Sequence, residues 1–306
     1  MKVMRKEHHS AKDTRSTGQW AILLCAVLWS TSGLFIRLLD WHPMVISGGR
    51  SILAVAVLIV IRFFPLNRNG SLTKKATRIK EILKEAPMLA ASGLCYAATM
   101  ILFVIANKLT ASANAILLQY AAPVWTALFA WFLLRERPHW EQWCALVFVS
   151  LGMYLVFSSG LQAGSVLGDI IAVLSGIAFG ANSIVLRMRK DGNPADILIF
   201  SHIICAVFSI PFFFLYPPSI SVNSILCISF MGIFQIGAAS ALFAYGIRRV
   251  PAVQAMLTAA IEPVLNPIWV LLTIGERPGL SVIAGGAVIL AAVIFSSILT
   301  SFRRTP

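Results

Sequence analysis

Charged side chains are scarce in this chain, at 12% of 306 residues against about 25% in soluble globular domains. Acidic residues are scarcer still, 12 Asp and Glu against 25 Lys and Arg. So few charges cannot clothe a water-exposed surface. A mean hydropathy of +0.83 and 58% apolar residues point to lipid as the solvent. Cysteine is also sparse. The five (Cys25, Cys95, Cys144, Cys205, Cys227) are odd in number and form neither a CxxC nor a Cys/His cluster. They read as small apolar packing residues, with no disulfide framework and no metal site implied. The chain lacks GxxxxGK[ST], HExxH, GxSxG and any pair of intramembrane aspartates. These absences argue against direct ATP drive and against familiar hydrolytic chemistry, and no cofactor is expected.

What the chain has in abundance is long apolar windows. A bilayer core takes about 20 helical residues to cross. Windows of that length fall at 19–37, 44–63, 86–107, 112–134, 140–158, 166–187, 194–215, 222–246, 252–274 and 279–300. Barrel strands would alternate over about ten residues, so the expected fold class is an all-α polytopic membrane protein with ten transmembrane helices. The first window follows a polar, basic tail with no short h-region or small-residue cleavage site. It reads as a retained span and not as a signal peptide.

The net charge of +13 suggests a polyanionic partner until its placement is considered. Of the 25 basic residues, 21 fall on the tail at 1–18, on alternate loops and on the tail at 301–306. Arg37, Lys108 and Arg277 fall on the opposite side, and Arg50 within a span. The positive-inside rule puts both termini in the cytoplasm, so the charge reports topology and no nucleic acid is expected as a partner. In the second loop Ile79, Ile82, Leu83 and Ala86 form a helical stripe beside lysines, which predicts a short helix on the membrane surface.

The chain also repeats itself. An offset of 140 sets Pro123-Val124 on Pro263-Val264 and Glu136-Arg137-Pro138 on Glu276-Arg277-Pro278. An offset of 150 sets Gly18 on Gly168, Ser30 on Gly180 and Arg37 on Arg187. Five spans is an odd number, so the second half must enter from the opposite side. The expected division is a five-helix repeat at 19–158 and an inverted one at 159–300, with a substrate site near the midplane between them.

Span nine carries a polar and aromatic face: Thr258, Glu262, Asn266, Trp269 and Thr273 recur at helical spacing. The matching places on span four hold Leu118, Ala122, Thr126, Phe129 and Leu133, although Pro123 is kept opposite Pro263. The backbone breaker is shared and the carboxylate is not. An intramembrane acid costs at least ~2.5–3.5 kcal/mol and generally faces a cavity or a partner. Glu262 is therefore the leading candidate for proton coupling or for binding an ammonium substrate, the alternative being a hydrogen-bonded structural glutamate beside a kink. Further candidate substrate-binding residues are Trp29, Tyr96, Gln119, Tyr120, Asn182 and Ser240, with Met100, Phe103, Asn107 and Gln235 among weaker neighbours. His202 reads as a packed neutral histidine, Asp169 as an acid exposed at the interface, and Gly176 with Gly180 as a close helix contact. Arg50 either snorkels to the interface or holds the structure.

The ten spans, the Pro-x(12)-Glu pattern ending spans four and nine, and Ser47-Gly48-Gly49-Arg50 in span two resemble the EamA family of the drug/metabolite transporter superfamily. The resemblance covers about 19–300. It implies a secondary carrier, in many members an exporter of amino acids or related metabolites, with a cavity lined mainly by spans 1, 3, 4, 6, 8 and 9. It also implies a structural or gating role for Arg50, Pro123 and Pro263. The expected function is a transporter in the cytoplasmic membrane that moves a small amphiphilic molecule by alternating access, with protons as a possible coupling ion. Organic cations or drugs are the alternative substrates. A membrane-embedded enzyme or a channel is the remote alternative, and the channel would need rings of like groups that a single glutamate does not supply.

Overall fold

The structure is a computed structural model and describes residues 2–63, 86–120, 122–136, 140–160, 166–188, 194–259, 261–275, 277 and 279–302. The described residues are helical, with no strand among them. In order they form α1 (Lys2–Trp29), α2 (Ser32–Leu38), α3 (Pro43–Phe63), α4 (Ala86–Leu109), α5 (Ser112–Gln119), α6 (Ala122–Phe129), α7 (Trp140–Gly160) and α8 (Val166–Met188). There follow α9 (Pro194–Leu215), α10 (Val222–Phe230), α11 (Ala239–Ile247), α12 (Ala252–Ala259), α13 (Glu262–Ile274) and α14 (Leu280–Phe302). Single π-helical stretches join α6 to residue 134 and α10 to α11.

Eight segments among the described residues are long and apolar enough to cross a membrane. They are Ser16–Leu38, Pro43–Ile61, Leu89–Leu109, Ser112–Leu134, Val166–Met188, Asp196–Leu215, Val222–Ile247 and Gln254–Ile274. The fifth expected window coincides with α7 and the tenth with α14. Large apolar side chains cover the outside: Phe132, Phe214 and Leu272 are 73%, 82% and 71% exposed. Such an exterior suits hydrocarbon and not water, and the protein is a multi-pass membrane protein. The second loop with its expected surface helix, and the Glu276 and Pro278 pair, lie outside the described residues.

Three of the expected continuous spans are broken. The first is interrupted at Ser30–Thr31, the fourth between Gln119 and Ala122, and the ninth between Ala259 and Glu262. The last two breaks precede prolines that carry no N–H and clash with the preceding turn. The carbonyl orphaned by Pro263 is that of Ala259, and the one orphaned by Pro123 is that of Gln119.

Small residues bring the broken helices together. A Cβ on Gly176 would stand 2.5 Å from the Gln119 carbonyl oxygen, and one on Gly180 would stand 2.9 Å from the Trp125 Cβ. The Gly176/Gly180 spacing thus seats α8 on α5 and α6, as small-residue faces do between helices in lipid. A buried apolar group around Trp29, Tyr96, Phe179 and Phe243 lies on one side of these breaks. A second, around Ile36, Phe103, Ile116 and Tyr120, lies on the other.

Candidate functional site

The broken helices and the π-helical stretch of α10–α11 surround a partly open cleft. Its walls are Trp29 and Ser32 from the first span, Arg50 from α3, Thr99, Met100 and Phe103 from α4, Gln119 from α5, Phe179 from α8, Gln235 and Ile236 from the π-helical stretch, and Glu262 from α13. Every one of the six spans expected to line a cavity contributes, and α3 adds Arg50.

Glu262 is 5% exposed and its carboxylate lies 2.5 Å from the Tyr120 hydroxyl. The same hydroxyl lies 2.7 Å from the Ala259 carbonyl oxygen, the acceptor orphaned by Pro263. One O–H has one hydrogen, so Tyr120 donates to only one of them at a time. With Glu262 ionised, the carboxylate takes that hydrogen and the Ala259 carbonyl goes without. With Glu262 protonated, its own O–H donates to the Tyr120 oxygen, and Tyr120 donates to Ala259. The two arrangements differ by one proton. Among the described residues no cation lies within ion-pairing distance of Glu262.

The rest of the expected span-nine face is shared between two neighbourhoods. Asn266 is fully buried and donates to the Ser30 carbonyl oxygen at 2.9 Å, while Trp269 donates to the Ser30 hydroxyl at 2.8 Å. Ser112 bridges Asn107 at 2.8 Å and Asn266 at 3.3 Å. Asn266 and Trp269 thus clasp α13 to the break in the first span, beside the cleft and outside its lining. Thr258 donates back to the Gln254 carbonyl and Thr273 to that of Trp269. Thr273 is exposed, so the face is not uniformly inward.

Gln119 donates to Ser175 at 2.7 Å, and Ser175 donates to the Thr99 carbonyl at 2.9 Å. Tyr96 and Ser240 lie in a separate buried network, with the Tyr96 hydroxyl 3.1 Å from Ser240 and His202 between Ser240 and Ser51 at 3.4 and 3.3 Å. Asn182 accepts from Ser92 at 2.8 Å. These three are buried but stand outside the cleft wall. Trp29 is on it, packed edge-on against Phe179 with centroids 5.6 Å apart.

Of the two alternatives for Arg50 the structure sets snorkelling aside: it is 1% exposed and its Nη2 donates to the Met100 carbonyl oxygen at 3.1 Å. One expectation is corrected. Asp169 is not exposed at an interface. It is 3% exposed and accepts from the Thr110 hydroxyl at 2.9 Å, which satisfies the acid between α4 and α8. Glu136, at the end of the fourth span, pairs with Arg187 at 3.2 Å. Gln235 counted only as a weak neighbour in the sequence. The missing signal was the π-helical register of its segment, which no helical wheel at 3.6 residues per turn reproduces.

The chain matches the EamA-like transporter family twice, at residues 16–158 and 166–298. It is 26% identical over 280 residues to an uncharacterized transporter of Archaeoglobus fulgidus, covering 91% of this chain and 96% of that one. It is 29% identical over 194 residues to human solute carrier family 35 member G1, covering 58% and 49%. It is 25% identical over 224 residues to the uncharacterized transporter YwfM of Bacillus subtilis, covering 72% and 76%. A solved crystal structure superposes with a TM-score of 0.73 at 19% identity, over 95% of this chain and all of the other, a likeness of fold. The chain belongs to the EamA-like transporter family and is a multi-pass membrane transporter.

Proposed function

We propose that the chain is a secondary transporter of ten spans in two inverted five-span halves, with both termini in the cytoplasm. It exports a small amphiphilic metabolite, an amino acid or a related compound, across the cytoplasmic membrane by alternating access, with protons exchanged at Glu262. The observation that carries this reading is the Glu262–Tyr120–Ala259 arrangement: a buried carboxyl on the cleft wall with no cation partner among the described residues, joined to a helix break whose hydrogen bonding depends on one proton. Discontinuous helices at a central cleft are where carriers hold substrates and coupling ions. Pro123 and Pro263 hold the frame about which the halves move, Arg50 stands on the cleft wall, and Asn266, Trp269, Thr258, Tyr96, Asn182 and Ser240 support the cleft from behind.

The test is counterflow in liposomes with a panel of labelled amino acids, with and without a proton gradient. Glu262→Gln keeps an acceptor for Tyr120 but has no proton to exchange. Wild-type flux is expected to saturate, show counter-exchange and respond to the gradient, and the variant to lose that response. An unchanged response in Glu262→Gln sinks the coupling role. Unsaturable flux without exchange sinks the carrier reading.

One observation favours a second reading. Trp29, with Phe179 at 5.6 Å and Phe243 at 5.2 Å, presents aromatic faces beside an acid, which suits an organic cation. Amines added to the same panel separate the two.

A further inference from the structure

The cleft that Glu262 lines also holds polar atoms with no hydrogen-bond partner among the described residues. Gln235 is fully buried, and neither its amide nitrogen nor its amide oxygen has a partner. Arg50, 1% exposed, spends its Nη2 on the Met100 carbonyl, but its Nε has none. No carboxylate lies within ion-pairing distance of Arg50 among the described residues. A guanidinium does not shed its proton, and a buried charge without a counter-charge is costly by several kcal/mol. A fully buried amide with both ends idle adds to that cost.

The backbone is shaped to bring these two groups to the cleft. Gln235 sits in the π-helical stretch Met231–Ala238, and such stretches are rare and concentrate at functional sites. Gly232, one turn before it, packs so closely on α3 that an added Cβ would stand 3.1 Å from the Arg50 carbonyl oxygen. Gly237 does the same to Val57, where the Cβ would stand 2.9 Å from the Val57 Cβ. The stretch is thus seated on α3 at the level of Arg50. Glu262 lines the same cleft, yet the two ionisable groups form no ion pair.

We infer that Arg50 and Gln235 form an oxyanion subsite that takes the carboxylate of the substrate, opposite the acid at Glu262. The inference rests on the reading of this cleft as the transport site and adds to it which end of the ligand each wall reads. A planar guanidinium and a neighbouring amide N–H match the two oxygens of a carboxylate, and the Gln235 amide oxygen accepts from a donor on the ligand. A ligand with only an ammonium group would leave Arg50 and Gln235 idle. One with only a carboxylate would leave Glu262 facing apolar carbon.

The experiment compares matched ligands on purified full-length protein. Leucine and phenylalanine carry both groups, 3-methylbutylamine and phenethylamine only the amine, 4-methylpentanoate and 3-phenylpropionate only the acid. Binding is read by competition and thermal shift for the wild type, Arg50→Gln and Gln235→Leu. The wild type is expected to bind the amino acid at least tenfold tighter than either analogue. In Gln235→Leu the margin over the amine falls below threefold because amino-acid binding weakens while amine binding holds. Arg50→Gln behaves alike where it folds, and Gln235→Leu decides the matter where it does not. Equal wild-type affinity for amine and amino acid overturns the inference and leaves the transport site standing, as does a margin that Gln235→Leu preserves. Failure of all six compounds to bind or exchange overturns the transport-site reading together with the inference.

Discussion

The Tyr120 hydroxyl is assigned two acceptors, one of which exists only because Pro263 lacks an N–H. A double-mutant cycle on Tyr120 and Pro263 tests that assignment. With Glu262 protonated, Tyr120→Phe removes the donor to the Ala259 carbonyl and the acceptor for the Glu262 O–H. An unsatisfied buried acceptor costs about 1–3 kcal/mol in water-soluble proteins. Hydrogen bonds between helices in a bilayer average only ~0.6 kcal/mol and reach ~1.7, because the unfolded chain in lipid finds other partners. The membrane figure governs here, so Tyr120→Phe should cost about 1–2 kcal/mol for the two contacts together. Pro263→Ala restores a main-chain donor four residues after Ala259. In that background the carbonyl no longer needs Tyr120, and the hydroxyl serves Glu262 alone. Tyr120→Phe should then cost less, by a coupling energy of ~0.6–1.7 kcal/mol. The assay is reversible unfolding in mixed micelles, with ligand absent, on all four corners of the cycle. Losses that add to within ~0.3–0.5 kcal/mol would refute the claim that the hydroxyl repairs the break left by Pro263.

Two further perturbations follow from the geometry. Arg135 ends its π-helical stretch at φ 54°, in the left-handed region, where its counterpart 140 residues on is Gly275 at φ 79°. Arg135→Gly relieves a side-chain clash of ~1–2 kcal/mol and returns ~0.5–1 as backbone entropy, so a gain of about 0.5–1 kcal/mol is expected in the same unfolding assay. A loss would show that the Arg135 side chain anchors the turn. His42, in the connection between α2 and α3, stacks on Tyr216 at 4.1 Å and Phe212 at 5.3 Å, and partial burial lowers its pKa from 6.5. The folded state therefore binds a proton less readily than the unfolded chain. Stability should be full above pH 6.5 and fall as acid takes the unfolded chain through its own titration. Melting temperatures between pH 7.5 and 5.5 check this, and His42→Phe should flatten the profile.

The all-helical, multi-pass membrane class was legible in the sequence, where each residue's own properties decide the outcome. Long apolar windows mark helices because lipid offers the backbone no partner. Glu262 stood out because its counterpart Ala122 is apolar, and it lies on the cleft wall. Tyr96, Thr99, Met100, Phe103 and Asn107, at helical spacing on α4, are all buried, a facing that the sequence alone did not fix. What escaped is whatever depends on a second span. Arg50 has the spacing of an interfacial residue, and only the packing of α3 against α4 and the π-helical stretch makes it a buried one. Asp169 begins a helix as exposed acids do, but Thr110 closes over it.

The two prolines show most clearly where sequence reading stops. Pro123 and Pro263 stand 140 residues apart and each removes the donor for the carbonyl four residues earlier. The same covalent fault is answered in two ways. At Gln119 the freed carbonyl lies in close contact with the Gly176 backbone, and the Gln119 side chain is held by Ser175. No acidic side chain shares a donor with that carbonyl among the described residues. At Ala259 the freed carbonyl accepts from Tyr120, a hydroxyl that also serves Glu262. That break is tied to a proton. The two halves thus treat the same freed carbonyl differently: close packing on Gly176 in the first, a tyrosine hydroxyl in the second. The tyrosine belongs to span four and its acceptor to span nine, so the device joins the halves across the cleft. On the proposed reading of Glu262 as the proton site, protonation there would shift the Tyr120 hydrogen from the carboxylate to the Ala259 carbonyl at this break.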